Sequence, residues 1–452
     1  MSTPEPPSVP AEAVPTEAAP APPVPAEPAA SSAVPPATED GIIRIVSVSD
    51  SESYLKWATQ LLSSLPNVEA HVCLIDNPIL PTEEQIRHAV AGTAWAGRKI
   101  PIVTRADLAE TIADHRADIV LGAATGPIVA QLFLTAHLLD LRPALVSGLP
   151  GMGLPASGKG MNYRRLMDAF IAHSHAEVAA YTEASELAQV PCEVFLARLP
   201  MLRSTGIPQP ADTPADAPAE IPRESASPDS AQVPRTLVFA PQAKVPESAA
   251  DRESILAALA EFAHRHHDST AIIKLRSRPG EFETHHEQHS YFELLETLRN
   301  RGVPGADRIE LGYGPLDEFL IPGSALVTVS STAALEAFDR GIPTLLVSDF
   351  GFDRTLLNEA FADSGATGTL AEVAAGSIGF PSPEWLAANY FHVADGGLRR
   401  HLGLLATRAR ANQLPNRRSA VWKQKRLLIR AELRTMAPTP VIRAYRKIRT
   451  GR

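Results

Sequence analysis

Cysteine is nearly absent from this chain of 452 residues, with only Cys73 and Cys192. The two sit in separate apolar runs, and neither has a partner at metal-ligand spacing. That excludes a disulfide framework and reads as two buried thiols of a reducing compartment. Aromatic residues are also scarce, at 6%, so the cores must be built mainly from aliphatic side chains. No apolar run approaches the roughly 20 residues that cross a bilayer. No basic segment followed by an apolar one opens the chain, which argues against a secretory signal. Residues 1–40 hold acids but no lysine or arginine, whereas the last forty are strongly basic. The formal charge of −9 therefore conceals an asymmetry, and taken whole it argues against nucleic acid as a partner. The expected location is cytoplasmic, at most peripheral at the inner face of the cell membrane.

Proline is abundant, with 41 residues, and much of it falls in two stretches. Residues 1–40 and 204–234 are rich in Pro, Ala and Glu, and they cannot bury enough apolar surface to offset chain entropy. The first is expected to be a disordered arm and the second a disordered linker. Between and after them lie two ordered segments, 41–203 and 235–382, followed by helices over 383–416, expected to pack back on the first segment, and a basic tail over 417–452.

In the first segment, strand-like runs at 42–48, 69–76, 99–104, 117–123, 143–149 and 192–199 are separated by helical patterns. These helical patterns fall at 54–65, 82–92 and 105–115, with one long helix expected over 161–181. The second segment repeats the logic. Strands are expected at 236–242, 270–277, 307–313, 325–331 and 344–350, and helices at 253–267, 291–302 and 332–341, with a short helix at 358–365. Strands alternating with helices of this length predict a doubly wound α/β fold, here two Rossmann-like domains in series with a cleft between the carboxyl ends of their sheets.

The sharpest chemical signal is the end of the strand at 325–331, where Ser330, Ser331 and Thr332 open a helix and Gly341 and Pro343 close it. Small hydroxyls and the first helical N–H groups together suit an anion such as a phosphate. The plain alternative is ordinary helix capping. Glu336, one turn in, either caps the helix or receives a ribose hydroxyl. Upstream, Lys274, Arg276 and Arg278 alternate along a strand end that stops at Pro279-Gly280, so their charges fall on one side. Converging cations could hold a phosphate there, against the alternative of a solvated strand end.

These two segments, Lys274-Leu275 with Arg278-Pro279 and then Ser330-Ser331-Thr332-Ala333 with Glu336, Gly341 and Pro343, resemble the donor domain of bacterial GT-B transferases. The nearest in style are capsular Kdo and sialic acid transferases and polyglycerol-phosphate polymerases. Those families hold a CMP or CDP group with a His-Pro and a Ser-Ser or Ser-Thr motif. This chain has Arg278 where they have histidine. From about 41 to 435 it also resembles an actinobacterial glycosyltransferase family. The resemblance implies a nucleotide-sugar donor bound at 235–382, a glycan or lipid-linked acceptor bound at 41–203, and no cofactor or bound metal.

In the first segment Asp50 follows the first strand and is the candidate general base, the alternative being that Asp50 or Ser51 caps the next helix. The glycine-rich loop 148–160 contains Gly151, Gly153 and Lys159. Gly153 to Gly160 is one residue short of a P-loop, lacking the Ser or Thr that holds magnesium. It reads as a cleft loop, as does the turn at Thr125-Gly126. His173 and His175 are two apart and read as satisfied histidines more readily than as a pair. Six of the fourteen histidines lie in 264–289, and His285 with His289 has zinc-helix spacing, but the segment is polar and lacks cysteine. The tail at 417–452 mixes cations with Trp422, Leu and Ile. It points to an anionic membrane surface or an acidic partner, against a helix that packs back on the first domain.

The expected activity is that of a glycosyltransferase. Two readings stand against it: a nucleotide-sugar 2-epimerase of the same fold, which would need acids and a histidine at the cleft, and a non-catalytic scaffold that binds no nucleotide.

Overall fold

The computed structural model describes residues 41–203, 233–275, 289–393 and 396–436, with side chains as far as 430. The arm at 1–40, nearly all of the linker, Arg276, Arg278, His285 and the tail beyond 436 lie outside the described residues.

The first half runs β1 Ile43–Ser49, α1 Glu52–Ser63, β2 Val68–Ile75, α2 Glu83–Val90, β3 Ile102–Val103, α3 Leu108–Asp114 and β4 Ile119–Ala123. It continues through α4 Gly126–His137, β5 Ala144–Gly148, α5 Gly158–Tyr163, β6 Ala169–Ala172, α6 His175–Leu187 and β7 Glu193–Leu196. The seven strands are all parallel, in the order β3-β2-β1-β4-β5-β6-β7. Both faces of the sheet are covered. One carries Ile45, Leu121 and Val146 against α1 and α2, and the other carries Val48, Val120 and Leu145 against α4. A strand buried on both sides reads as a continuous apolar run, which is why β1, β4 and β5 stand out in the sequence.

The second half runs β8 Thr236–Phe239, α7 Ala249–Arg265, β9 Thr270–Lys274, α8 Tyr291–Asn300, β10 Ile309–Gly312, β11 Ser324–Thr328 and α9 Ala333–Asp339. It ends with β12 Thr344–Val347, β13 Thr367–Gly368 and α10 Leu370–Ala375. Its six parallel strands are ordered β10-β9-β8-β11-β12-β13. Each sheet thus has its first strand in the middle, with the chain winding outward first one way and then the other. That is the strand order of the Rossmann fold. Both sheets belong to one compact unit.

Three helices follow: α11 Pro383–Ala388, α12 Gly397–Arg410 and α13 Arg418–Met436. Trp385 and Leu386 of α11 pack with Phe338 and Phe361 in the second half, joined by Leu199 and Leu202 from the segment after β7. Leu398, Leu402 and Leu405 of α12 bury against the first sheet, and Arg410 at its end pairs with the buried Asp118 at 2.6 Å. The chain therefore returns to the half where it began.

The expected long helix over 161–181 is corrected. It is α5, then the strand β6, then α6. Ala169 to Ala172 are wholly buried between β5 and β7, and a strand of four apolar residues is too short to break a helical pattern by eye. Ser174 caps the helix that follows, accepting from the Glu177 amide. The short helix expected at 358–365 is one 3-10 turn, Glu359–Phe361.

Candidate functional site

The site grows from the place in each sheet where the winding reverses. There the helices after two neighbouring strands leave on opposite faces, and a crevice opens at the carboxyl edge. In the first half these strands are β1 and β4. Asp50, just past β1, accepts from the Thr125 amide at 2.8 Å and from the Thr125 hydroxyl at 2.5 Å, just past β4. In the second half they are β8 and β11. Gln242, past β8, and Ser330, past β11, form a reciprocal pair. The Ser330 hydroxyl donates to Gln242 Oε1 and the Gln242 amide donates to the Ser330 carbonyl, both at 2.6 Å.

A cavity of about 460 Å³ lies between the halves, within the size range of small-ligand sites. The second half lends it Gln242, Ser330, Thr332 and Leu357. The first half lends it residues 152–155 and Ser157, Gly160 and Met161 of the glycine-rich loop, and Arg164, together with Phe170 and Tyr181. Arg164 is buried at 5% exposure. Its Nε donates to the Ser147 hydroxyl at 2.9 Å, and its amino groups reach the Gly160 and Ala124 carbonyls at 3.4 Å. Burial pushes the Tyr54 phenol above its ordinary value, while the Arg164 guanidinium beside it, to which it is hydrogen-bonded, pulls it down. Its hydrogen-bond partners are thus neutral groups. Asp50 and Glu177 act on the tyrosines beside this cation, but among the described residues no carboxylate is hydrogen-bonded to it, so an anion in the cavity would pair with it directly.

Two contacts bring the halves together beside this cavity. Lys56 of α1 stands 4.0 Å from Glu336 of α9. Gly151 lies so close to Thr332 that an added Cβ would meet its methyl group at 3.0 Å. Below the loop, the buried Glu177 accepts from the Gly153 amide, the His173 amide and the Tyr390 hydroxyl at 2.7, 2.7 and 2.8 Å. Tyr390 comes from the returning segment, so Glu177 pins loop, sheet and return together. Burial and the nearby Glu177 carboxylate raise the Tyr390 phenol well above its ordinary value.

The sequence candidates divide accordingly. Ser330 and Thr332 line the cavity. Ser331 is buried beside them, and its hydroxyl accepts from the Ala333 amide at 3.2 Å as a cap. Glu336 is committed to Lys56. Asp50 is wholly buried and does not line the cavity; its Oδ2 accepts from Thr125, while its Oδ1 has no hydrogen-bond partner among the described residues. Neither it nor Ser51 caps α1 with its side chain. Gly153 lines the cavity, and its lack of a side chain leaves room for Tyr181 and Glu177. Gly126 makes room for Tyr163. Lys159 is exposed and outside the cavity lining, in the first turn of α5 behind its cap Ser157. Lys274 ends β9, two strands from β11, and is not among the lining residues.

His173 is a core residue. It accepts from the Trp57 indole at 2.8 Å and meets the Ala197 carbonyl at 2.9 Å, and burial holds its pKa below the ordinary value. Among the described residues no three His, Cys, Asp or Glu side chains group as a metal site. Burial pushes the thiols up, Cys73 to about 12 and Cys192 to about 11, so neither is a ready nucleophile.

Residues 45–404 match the family model described as "Putative glycosyltransferase (DUF6716)". The chain belongs to this family. No curated protein is detectably similar to it. Among solved structures, the Staphylococcus aureus MnaA–UDP complex is similar over 83% of this chain and 99% of its own, with 12% identity and a TM-score of 0.49. The Neisseria meningitidis UDP-GlcNAc 2-epimerase bound to UDP-GlcNAc covers 82% of this chain and 100% of its own, at 10% identity and a TM-score of 0.47. A UGT transferase from Siraitia grosvenorii in complex with UDP covers 85% and 99%, at 13% identity and a TM-score of 0.40. Likenesses at this level say nothing about the ligand of this DUF6716 member.

Arg164 and Gln242 were not legible as site residues in the sequence. Arg164 sat inside the supposed long helix, where an Arg-Arg pair reads as solvated. Gln242 would have been found by asking which residue follows β8 at the strand edge beside β11.

Proposed function

We propose that the protein transfers a sugar from a nucleotide-activated donor to a glycan or lipid-linked acceptor, with the donor's phosphate group held in the cavity between the halves. One observation carries this reading: the buried guanidinium of Arg164, with neutral hydrogen-bond partners, shares the cavity with Ser330, Thr332 and Gln242. As the bond to the sugar breaks, negative charge collects on the leaving phosphate. A fixed cation and fixed hydroxyls in a partly dry cavity stabilise that charge more than they stabilise the ground state. Lys274, with Arg276 and Arg278 after it in the sequence, is proposed to add positive charge for the donor phosphate.

None of the described lining residues is Asp, Glu or His. The reading therefore assigns leaving-group stabilisation and no general base within the cavity. Asp50 is proposed to hold the Thr125 turn instead of taking a proton. The same lining speaks against a 2-epimerase, which needs acids and a histidine there.

The test is a thermal-shift panel of CMP, CDP, UDP, GDP and ADP on the full chain and on Arg164→Gln. Ligand binding to the folded state raises the melting temperature. A shift with nucleoside diphosphates is expected in the parent. Binding to Arg164→Gln should be roughly 10- to 100-fold weaker, the worth of a charge-assisted hydrogen bond of ~1.5–3 kcal/mol. Arg164→Lys, which keeps the charge, should recover part of it. Cytidine nucleotides alone giving the shift would support the capsule-type donor, and a preference for UDP or GDP would overturn that part. No shift with any nucleotide would overturn the whole reading in favour of a scaffold.

A further inference from the structure

Helix α13 is fastened to the first half along one side only. Arg417, just before it, is buried, pairs with Asp168 at 3.4 Å and donates to the Pro191 carbonyl. Asp168 is at the same time held by Arg142 at 2.9 Å. One turn and more along, the wholly buried Gln424 donates to the Tyr163 carbonyl at 3.1 Å, and Ala420 and Val421 pack into the core beneath. Those anchors fix which way the helix faces.

The opposite side carries Arg418, Lys423, Lys425, Arg426 and Arg430, all exposed, and no acidic residue occurs in 417–430. Trp422 and Ile429 stand among these cations with 60% and 55% exposure. They are seven residues apart, hence two turns along the same side. The Arg426 guanidinium lies 4.5 Å above the Trp422 ring. A chain of net charge −9 thus concentrates cations, an indole and a branched aliphatic on one exposed helix face.

We propose that this face docks on an anionic phospholipid surface. The charges alone would suit any polyanion. The exposed Trp422 and Ile429 decide for a bilayer, because an indole and an aliphatic side chain gain by entering the headgroup boundary while the flanking cations meet the phosphates. Arg417 and Gln424 take no part, since both side chains are buried on the side of the helix that faces the first half. Helix α13 packs on α4 and α5, and α5 supplies Gly160 and Met161 to the cavity, so the docked face lies one helix away from the site. The inference concerns binding without nucleotide and stands or falls apart from the transferase reading.

The experiment is flotation of the full chain with vesicles of phosphatidylcholine alone or of equimolar phosphatidylcholine and phosphatidylglycerol. The parent should float with the second and not the first, and salt should release it. Each cation near such a surface is worth a factor of about five, so Lys425→Gln/Arg426→Gln should partition about 25-fold less. Trp422→Ser should also weaken binding, and with these side chains exposed the melting temperatures should match the parent. No flotation, equal flotation with both vesicles, or retention only by a soluble acidic polypeptide would overturn the proposal. So would unchanged partition of the α13 variants, which would place the attraction elsewhere, as on the cations at 443–452.

Discussion

The two sheets share a strand order, and both close the point where their winding reverses with a side-chain pair, yet the pairs differ in kind. In the first half the carboxylate of Asp50 grips the amide and hydroxyl of Thr125, out of reach of the cavity. In the second half the neutral pair of Gln242 and Ser330 stands at the cavity wall. In the proposed reading the first closure is frame and the second is surface offered to a ligand. The charge the cavity needs comes instead from Arg164, at the edge of the first sheet. One fold used twice has thus divided the work: the second half offers neutral donors and acceptors, and the first offers a cation and the polar framework behind it.

The largest expected effect tests the frame. Asp50→Ala leaves two half-buried donors of the Thr125 turn without an acceptor and empties a buried position, at a cost of about 3 kcal/mol. Denaturant unfolding should show the loss, while Asp50→Asn, which can still accept, should lose less. The nucleotide-induced thermal shift should survive in Asp50→Asn. If that variant keeps its stability and its nucleotide binding but loses transfer, Asp50 is the base after all and the comparison between the two closures collapses.

Much of this was legible in the sequence, and the reasons are local. Strands β1, β4, β5 and β11 are buried on both faces, so they appear as unbroken apolar runs. The hydroxyl cluster at Ser330 to Thr332 appears where such a run meets a helix. Arg164 was hidden because β6 has only four residues and its neighbours keep helical spacing on both sides. The signals that could have exposed it were Asp168 before the run and Ser174 after it, a buried acid and a helix cap that a continuous helix would not need. Gln242 was hidden for another reason. Its residue type says nothing, and its role exists only because β8 and β11 are neighbours, a fact of topology that no local pattern carries. Asp50 shows the reverse case. Its position at a strand end is legible in the sequence, but its meeting with Thr125, 75 residues on, is not.

The second effect comes from the histidines of the first half. His137 ends α4, where Arg142 Nε donates to its Nδ1 at 2.8 Å, a bond that requires the unprotonated ring. Burial, with Arg142 adding to it, lowers its pKa from the ordinary 6.5 to about 4. The unfolded chain would therefore take up a proton near pH 6.5 that the folded chain refuses until about pH 4. The contribution of His137 is fully present above pH 6.5 and is lost as the pH falls toward 4. Melting temperature should decline across that window, and His137→Gln should flatten the decline. An unchanged slope would mean that the polar frame of the first half is not where acid acts.

The smallest effect tests the neutral closure. Ser330→Ala removes one uncharged hydrogen bond, about 1 kcal/mol, and the half-buried Gln242 amide can turn to water, so little stability should be lost. Ligand binding should weaken by more than stability does, because Gln242, then held only by its bond to the backbone carbonyl of residue 330, presents a less fixed face to the cavity and a bound anion must order it. Gln242→Ala should weaken nucleotide binding to a similar degree, since the two residues act as one unit, and the double variant should be little worse than either single one. If the two substitutions instead add fully, Ser330 and Gln242 meet the ligand separately. The second closure would then be two independent contacts and not the counterpart of Asp50 and Thr125.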